Sequence, residues 1–252
     1  MRYNAHVQPA EPEQPEQPEQ PEQTERAEEG ARAAVVVAEH QGHMELRGAA
    51  DAPGHGAWVD LGAVRAAGMR QLPLARALGV QSARESAELL VVDATAGLLG
   101  DAFVLALLGC RVTAVERSSL VAAVARDGLA RAAHDPRVDQ AALARLQLVE
   151  GDARTLLAQM PAPDIVLMDP MFPPKRKRSA LPRKEMQLLR SAVGDDPDAA
   201  QLLAAARAVA TRRVLVKRAD DSVGVAGAPE PDLVFRGSTS RVEVYLAATR
   251  TR

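Results

Sequence analysis

From Leu89 to Leu246 the chain alternates short apolar runs with amphipathic stretches, and this alternation limits the folds open to it. The apolar runs are LLVVD (89–93), RVTAVE (111–116), LQLVEGD (146–152), DIVLMD (164–169) and RVLVKR (213–218). Helical patterns fall between them at 101–108, 118–133, 184–192 and 198–210. Strands separated by helices cannot pair through hairpins, so they form a parallel sheet with crossovers on both faces. DLVFRG (232–237) and RVEVYL (241–246) lie too close together for a crossover and predict a closing antiparallel pair. The expected architecture is α/β and Rossmann-like, with a mostly parallel seven-stranded sheet and helices on both faces.

Three segments differ in composition. Residues 1–30 hold eight Glu and two Arg, and 11–23 repeat EQP. Such a stretch has no apolar surface to bury, so it is expected as a disordered tail outside the folded part. Residues 31–85 are expected as a small N-terminal α+β subdomain. It carries strands at Ala34–Ala38 and Met44–Arg47, a third at Ala57–Leu61, and a helix at Pro73–Leu78 ended by Gly79. Residues 86–252 are the main domain. With the tail at net −6, the remainder of this chain of net −2 carries +4.

No run of 18 apolar residues is present and the first residues lack a signal-peptide core, so no membrane partner is expected. The single cysteine, Cys110, cannot form an internal disulfide, which fits a reducing cytoplasm. His40 and His43 lack further ligands at metal spacing, and no metal is expected.

Ligands of open α/β sheets bind beyond the carboxyl ends of the strands. The turn Asp93-Ala94-Thr95-Ala96-Gly97-Leu98-Leu99-Gly100-Asp101 follows the first strand and opens a helix. It lacks the G-x-G-x-x-G that holds a pyrophosphate. A cofactor without phosphate fits better, and S-adenosylmethionine is such a molecule. Glu116 ends the second strand, where a carboxylate accepts ribose hydroxyls, with Arg117 beside it. After the third strand, Asp152 and Ala153 suit an adenine edge, with a helix N-cap as the competing task for Asp152.

Asp169-Pro170-Met171-Phe172-Pro173 ends the fourth strand, the central one. It resembles the Asp/Asn-Pro-Pro-aromatic signature of methyltransferases acting on exocyclic amines. An aryl amine is a weak nucleophile because its lone pair is delocalised. An acceptor such as Asp169 at the N–H orients that lone pair, Pro170 fixes the backbone, and Phe172 stacks on the base. Residues 171–190 then carry seven basic groups and one acid. Lys175, Arg176, Lys177, Arg178 and Lys184, joined by Lys217, are the expected phosphate contacts of an RNA substrate.

These pieces occur together and in order in one family. DATAG…DAFVLA (93–106), LGCRVTAVER (108–117), DGLARA (127–132), RLQLVEGD (145–152), DPMFP (169–173), SALPRKEM (179–186) and RRVLVKR (212–218) are similar to the bacterial 16S rRNA guanine-N2 methyltransferase J family. The resemblance implies a class I methyltransferase fold and S-adenosylmethionine as cofactor. It also implies one guanosine of 16S rRNA as substrate, free or within the small ribosomal subunit. By position it places cofactor contacts at Gly100, Asp101, Glu116, Arg117, Asp152, Ala153 and Asp169, and Gly97 of the same turn is expected beside them. The family pattern Gly-Leu-Gly-Arg-Asp reads Gly97-Leu98-Leu99-Gly100-Asp101 here, which leaves Gly100 only backbone contacts. The rival expectations are an amine methyltransferase on DNA or another RNA, and an RNA-binding protein of this fold with weakened catalysis.

Overall fold

The computed structural model describes residues 35–64, 68–171, 184–194, 197–220, 222 and 224–247. The 1–30 tail, Phe172, Lys175, Arg176, Lys177 and Arg178 lie outside the described residues. The helices are α1 (Pro73–Ala77), α2 (Ala83–Ala87), α3 (Gly100–Leu107), α4 (Ser119–Ala132), α5 (Gln140–Leu143), α6 (Ala153–Leu156), α7 (Lys184–Val193) and α8 (Ala199–Val209). The strands are β1 (Val35–His40), β2 (His43–Gly48), β3 (Leu90–Asp93), β4 (Arg111–Glu116), β5 (Leu146–Glu150), β6 (Ile165–Met168), β7 (Arg213–Ala219), β8 (Leu233–Arg236) and β9 (Ser240–Leu246).

The main sheet has seven strands in the order β5-β4-β3-β6-β7-β9-β8. β5, β4, β3, β6 and β7 are parallel to one another, and β9 runs antiparallel to both β7 and β8. The chain order reverses between β3 and β6, the switch point at which such sheets bind ligands. β6, where DPMF begins, is the central strand.

The period-two pattern divides the core into two layers. Ile165 and Leu167 of β6 face one side with Val91, Ala114 and Leu215, packed by Phe103 of α3 and Val121 of α4. Val166 and Met168 face the other side with Val92, Val115, Val214 and Val216, covered by Leu202 and Leu203 of α8. β6 is buried at every position because both its faces are covered.

β1 and β2 form an antiparallel hairpin. The expected third strand at 57–61 is not formed. Ala57 and Leu46 make one bridge, and a 3-10 turn follows at Leu61–Ala63. Side chains also tie down the backbone of this segment and of the turn before it. Gly54 and Gly56 N–H donate to the buried Glu45 carboxylate at 3.0 and 3.1 Å, and the Val59 carbonyl accepts from Arg131 of α4 at 2.7 Å. Asp127 of α4 accepts from the Met44 N–H at 3.0 Å. Leu46, Val59, Met69 and Leu74 lie in the same core as Val91 and Phe103.

Gly79 ends the α1 segment as expected, with φ +67°. A Cβ there would lie 2.0 Å from the Arg213 guanidinium, which donates to the Ala77 carbonyl at 2.8 Å. Gly79 thus combines a left-handed turn with close approach.

Candidate active site

The carboxyl ends of the parallel strands carry a row of charged residues: Asp152 just past β5, Glu116 on β4, Asp93 on β3, Asp169 after β6 and Lys217 on β7. Ala94, Thr95, Gly97, Glu116, Arg117, Asp152, Ala153, Asp169 and Met171 line one cleft there. The cleft encloses about 600 Å³, part of it open solvent. Its opposite wall is apolar, from Leu189 and Val193 of α7 and Ala199 and Leu202 of α8.

The turn after β3 is tied to the neighbouring strands. Glu116 is buried, and its two carboxylate oxygens accept from the Gly97 N–H at 2.9 Å and the Ser118 N–H at 2.8 Å. Burial pushes its carboxyl above the usual range against the pull of those N–H groups. A carboxylate offers about four lone-pair sites, so two backbone bonds leave capacity for a diol. Thr95 bridges the other way: the Asp169 N–H donates to Thr95 Oγ1 at 2.7 Å, while the Thr95 N–H donates to Asp93 at 3.1 Å.

Leu99 shows how the displaced glycine is accommodated. It adopts φ +66°, a left-handed conformation costly for a residue with a Cβ, yet its side chain is fully buried in the core. The turn keeps the shape that glycine would favour, and leucine packing offsets the backbone cost. Gly100 opens α3 with open space where a Cβ would stand.

Asp152 is the N-cap of α6, accepting from the Arg154 N–H at 2.9 Å. The same carboxylate holds the Arg154 guanidinium, which keeps its carboxyl below the usual range. Arg154 and Arg117 converge on Asp198 at 2.8 and 2.9 Å. This charged rim joins the end of β4 to the starts of α6 and α8.

Lys217, expected among the phosphate contacts, turns onto carboxylates. It pairs with Asp101 of α3 and, at 3.3 Å, with Asp169. Burial alone would lower its pKa, but the charges of Asp101 and Asp169 outweigh it and raise the ammonium above the ordinary lysine range. Asp93 lies beneath them, 2% exposed, its carboxyl pushed up to about 7 by burial and then by the charge of Asp101. Lys184, the other described basic candidate, pairs with Asp51 at 3.1 Å and links α7 to the segment after β2.

The structure therefore brings Gly97, Glu116, Arg117, Asp152, Ala153 and Asp169 into one cleft, with Asp101 joined through Lys217. Pro170 is buried behind Asp169. The sequence did not single out Thr95, Arg154, Asp198 or the apolar wall. Thr95 lay inside the expected turn, and a hydroxyl able to bond local backbone was its only signal. Asp198 is 81 positions from Arg117, with no local sign of their pairing.

Four carboxylates and two arginines beside an apolar wall suit a ligand with both charged and apolar parts. The donor set fits S-adenosylmethionine: carboxylates for its sulfonium and ribose, small and apolar residues for its adenine.

Comparison with known proteins agrees. The family model described as putative SAM-dependent methyltransferase matches residues 29–247. A ribosomal RNA small subunit methyltransferase J of Thioalkalivibrio sulfidiphilus is 48% identical over 181 residues, 71% of this chain and 69% of that protein. The chain belongs to the ribosomal RNA small subunit methyltransferase J family. The Pseudomonas aeruginosa methyltransferase J is 44% identical over 223 residues, covering 85% of this chain and 82% of the relative. Among solved structures, a SAM-dependent methyltransferase of Neisseria gonorrhoeae superposes with TM-score 0.64 at 32% identity, covering 85% of this chain and 84% of that one. The chain is thus an S-adenosylmethionine-dependent methyltransferase with a Rossmann-like fold.

Proposed function

We propose that this chain methylates the exocyclic N2 amine of one guanosine in 16S rRNA, in the cytoplasm. The observation that carries this is the setting of Asp169. It stands at the end of the central strand, its backbone is held by Thr95, and its half-exposed carboxylate borders the cleft beside the Lys217–Asp101 pair. Several relatives at 44–48% identity are named for the small-subunit rRNA.

Gly97, Glu116, Asp152, Ala153 and Asp101 would hold the cofactor, with Glu116 on the ribose and the small Ala153 against the adenine. When bound, S-adenosylmethionine supplies an electrophilic methyl group on a sulfonium that leaves as a neutral thioether. The protein's contribution is orientation and preorganised charge. Asp169 accepts an N–H of the amine, turns the nitrogen lone pair toward the cofactor side, and takes the proton the nitrogen sheds as it gains carbon. Met171 and the wall from Leu189 to Val193 exclude water from that nitrogen. Phe172 is the stacking partner for the base, and the run from Lys175 to Arg178, with Lys184, supplies contacts to phosphates.

Asp169→Ala tests this with labelled cofactor and small ribosomal subunits from a strain lacking the enzyme. Turnover should fall by about 100-fold or more while cofactor binding by calorimetry persists. Near-normal turnover removes Asp169 from the role. Absence of cofactor binding by the unaltered chain favours an RNA-binding protein without catalysis.

A further inference from the structure

Three carboxylates converge above the centre of the sheet: Asp93 from the end of β3, Asp101 from the first turn of α3, and Asp169 from the end of β6. Lys217, from β7, is the cation placed among them in the described residues. Its strand is adjacent to β6 and in register with it, Val216 facing Met168. The ammonium therefore reaches Asp169 from a rigid neighbour. On the proposed reading Asp101 serves the cofactor and Asp169 the amine, and Lys217 touches both.

We infer that Lys217 is a positioning residue for methyl transfer, fixing the Asp169 carboxylate relative to Asp101 rather than contacting RNA phosphate. This rests on the proposed role of Asp169. Geometry and charge support it. The Lys217 side chain is only 29% exposed, and moving it to a phosphate would abandon two carboxylates at once. Leaving those charges together without their cation would be costly. The raised lysine pKa shows that the pair outweighs the burial of the ammonium. A Lys217 bound on both sides also gives Asp169 one orientation, where an exposed aspartate would sample several rotamers.

The test is a mutant cycle on the full chain with small ribosomal subunits from a strain lacking the enzyme. Lys217→Met should lower kcat about 100-fold, the scale of an ångström-sized misplacement of a reacting group. RNA affinity and its salt slope should stay unchanged. Asp169→Asn/Lys217→Met should be no slower than Asp169→Asn alone, because the lysine acts through the aspartate. Multiplied losses in the double variant overturn the inference. So does weaker RNA binding with a salt slope reduced by about one and kcat intact at saturation, which marks a phosphate contact. If Lys217→Met does not fold, Lys217→Arg serves in the same cycle. The bulkier cation should slow turnover about 10-fold with Asp169 present and have no effect in the Asp169→Asn background; equal losses in both backgrounds overturn the inference. Full kcat for Lys217→Met beside an inactive Asp169→Asn refutes only the lysine role. Full activity of Asp169→Ala refutes the reading on which it rests.

Discussion

The backbone N–H of Asp169 donates to the Thr95 hydroxyl at 2.7 Å, joining the proposed amine-side motif to the proposed cofactor turn across 74 residues of sequence. The two segments are neighbours because β3 and β6 pair directly, Asp93 opposite Leu167. A shift of one is therefore felt by the other.

Thr95→Val keeps the shape and removes the acceptor for the Asp169 N–H. A backbone donor that loses its partner in a partly buried site costs about 1–3 kcal/mol. We expect kcat to fall roughly 10-fold or more by that measure, with Thr95→Ser restoring most of it. Equal activity of the Val and Ser variants in a methyl-transfer assay would show that the bond does not position the motif.

Asp93 gives the protein a pH-dependent stability. Its carboxyl sits at about 7 against an ordinary 3.8, so the folded state binds a proton that the unfolded state has released. Its stabilising contribution is complete below about pH 4 and is lost as pH rises through about 7, at roughly 1.4 kcal/mol per pH unit at the steepest. The groups facing it are Asp101 and Asp169, which raise it, and Lys217 and the Thr95 N–H, which lower it. Asp93→Asn should flatten this dependence, so urea unfolding at pH 5 and pH 8 should show the variant gaining on the parent at the higher pH. Parallel curves would place the Asp93 carboxyl in the ordinary range.

Leu99 sets a left-handed backbone against a buried side chain. Leu99→Ala loses the packing and keeps the strain, at about 2–5 kcal/mol. Leu99→Gly loses the same packing but relieves roughly 1–2 kcal/mol of strain. Thermal unfolding should rank Gly above Ala, the reverse of their order in a helix. Ala above Gly would mean that the turn relaxes when the leucine is removed.

At Gly128 the constraint is packing alone. A Cβ there would lie 2.3 Å from the Val59 Cβ, where α4 meets the segment after β2. Gly128→Ala should cost about 1–3 kcal/mol through overpacking, despite alanine's helix propensity, and Gly128→Ala/Val59→Ala should recover part of it. A stabilised single variant in urea unfolding would show that α4 is free to shift.

The strands were legible because burial on both faces leaves continuous apolar runs. β4 falls on Arg111–Glu116 as its sequence reads, and the expected helices differ by about a residue at their ends, while the short α2, α5 and α6 were not among those expected. That the 93–101 turn, Glu116 and Asp169 would come together was legible because strand ends at a switch point are where such folds bind ligands, and they do line one cleft. Long-range pairing was not. Lys217 reads as one more base in RRVLVKR, and only the sheet order reveals that it faces Asp101, 116 positions away. The segment at 57–61 looked like a strand by composition, but past the single Ala57–Leu46 bridge its Val59 carbonyl accepts from Arg131 and a 3-10 turn begins at Leu61. The left-handed Leu99 was visible only as a displaced glycine in the family pattern.

The most direct measurement is mass mapping of small-subunit rRNA from a strain lacking this enzyme, before and after incubation of its subunits with the purified chain and S-adenosylmethionine. One new methyl group on a single guanosine, identified after digestion as N2-methylguanosine and absent with Asp169→Ala, is the expected result. Methylation of another atom or another base, or none on subunits that the chain demonstrably binds, would contradict it.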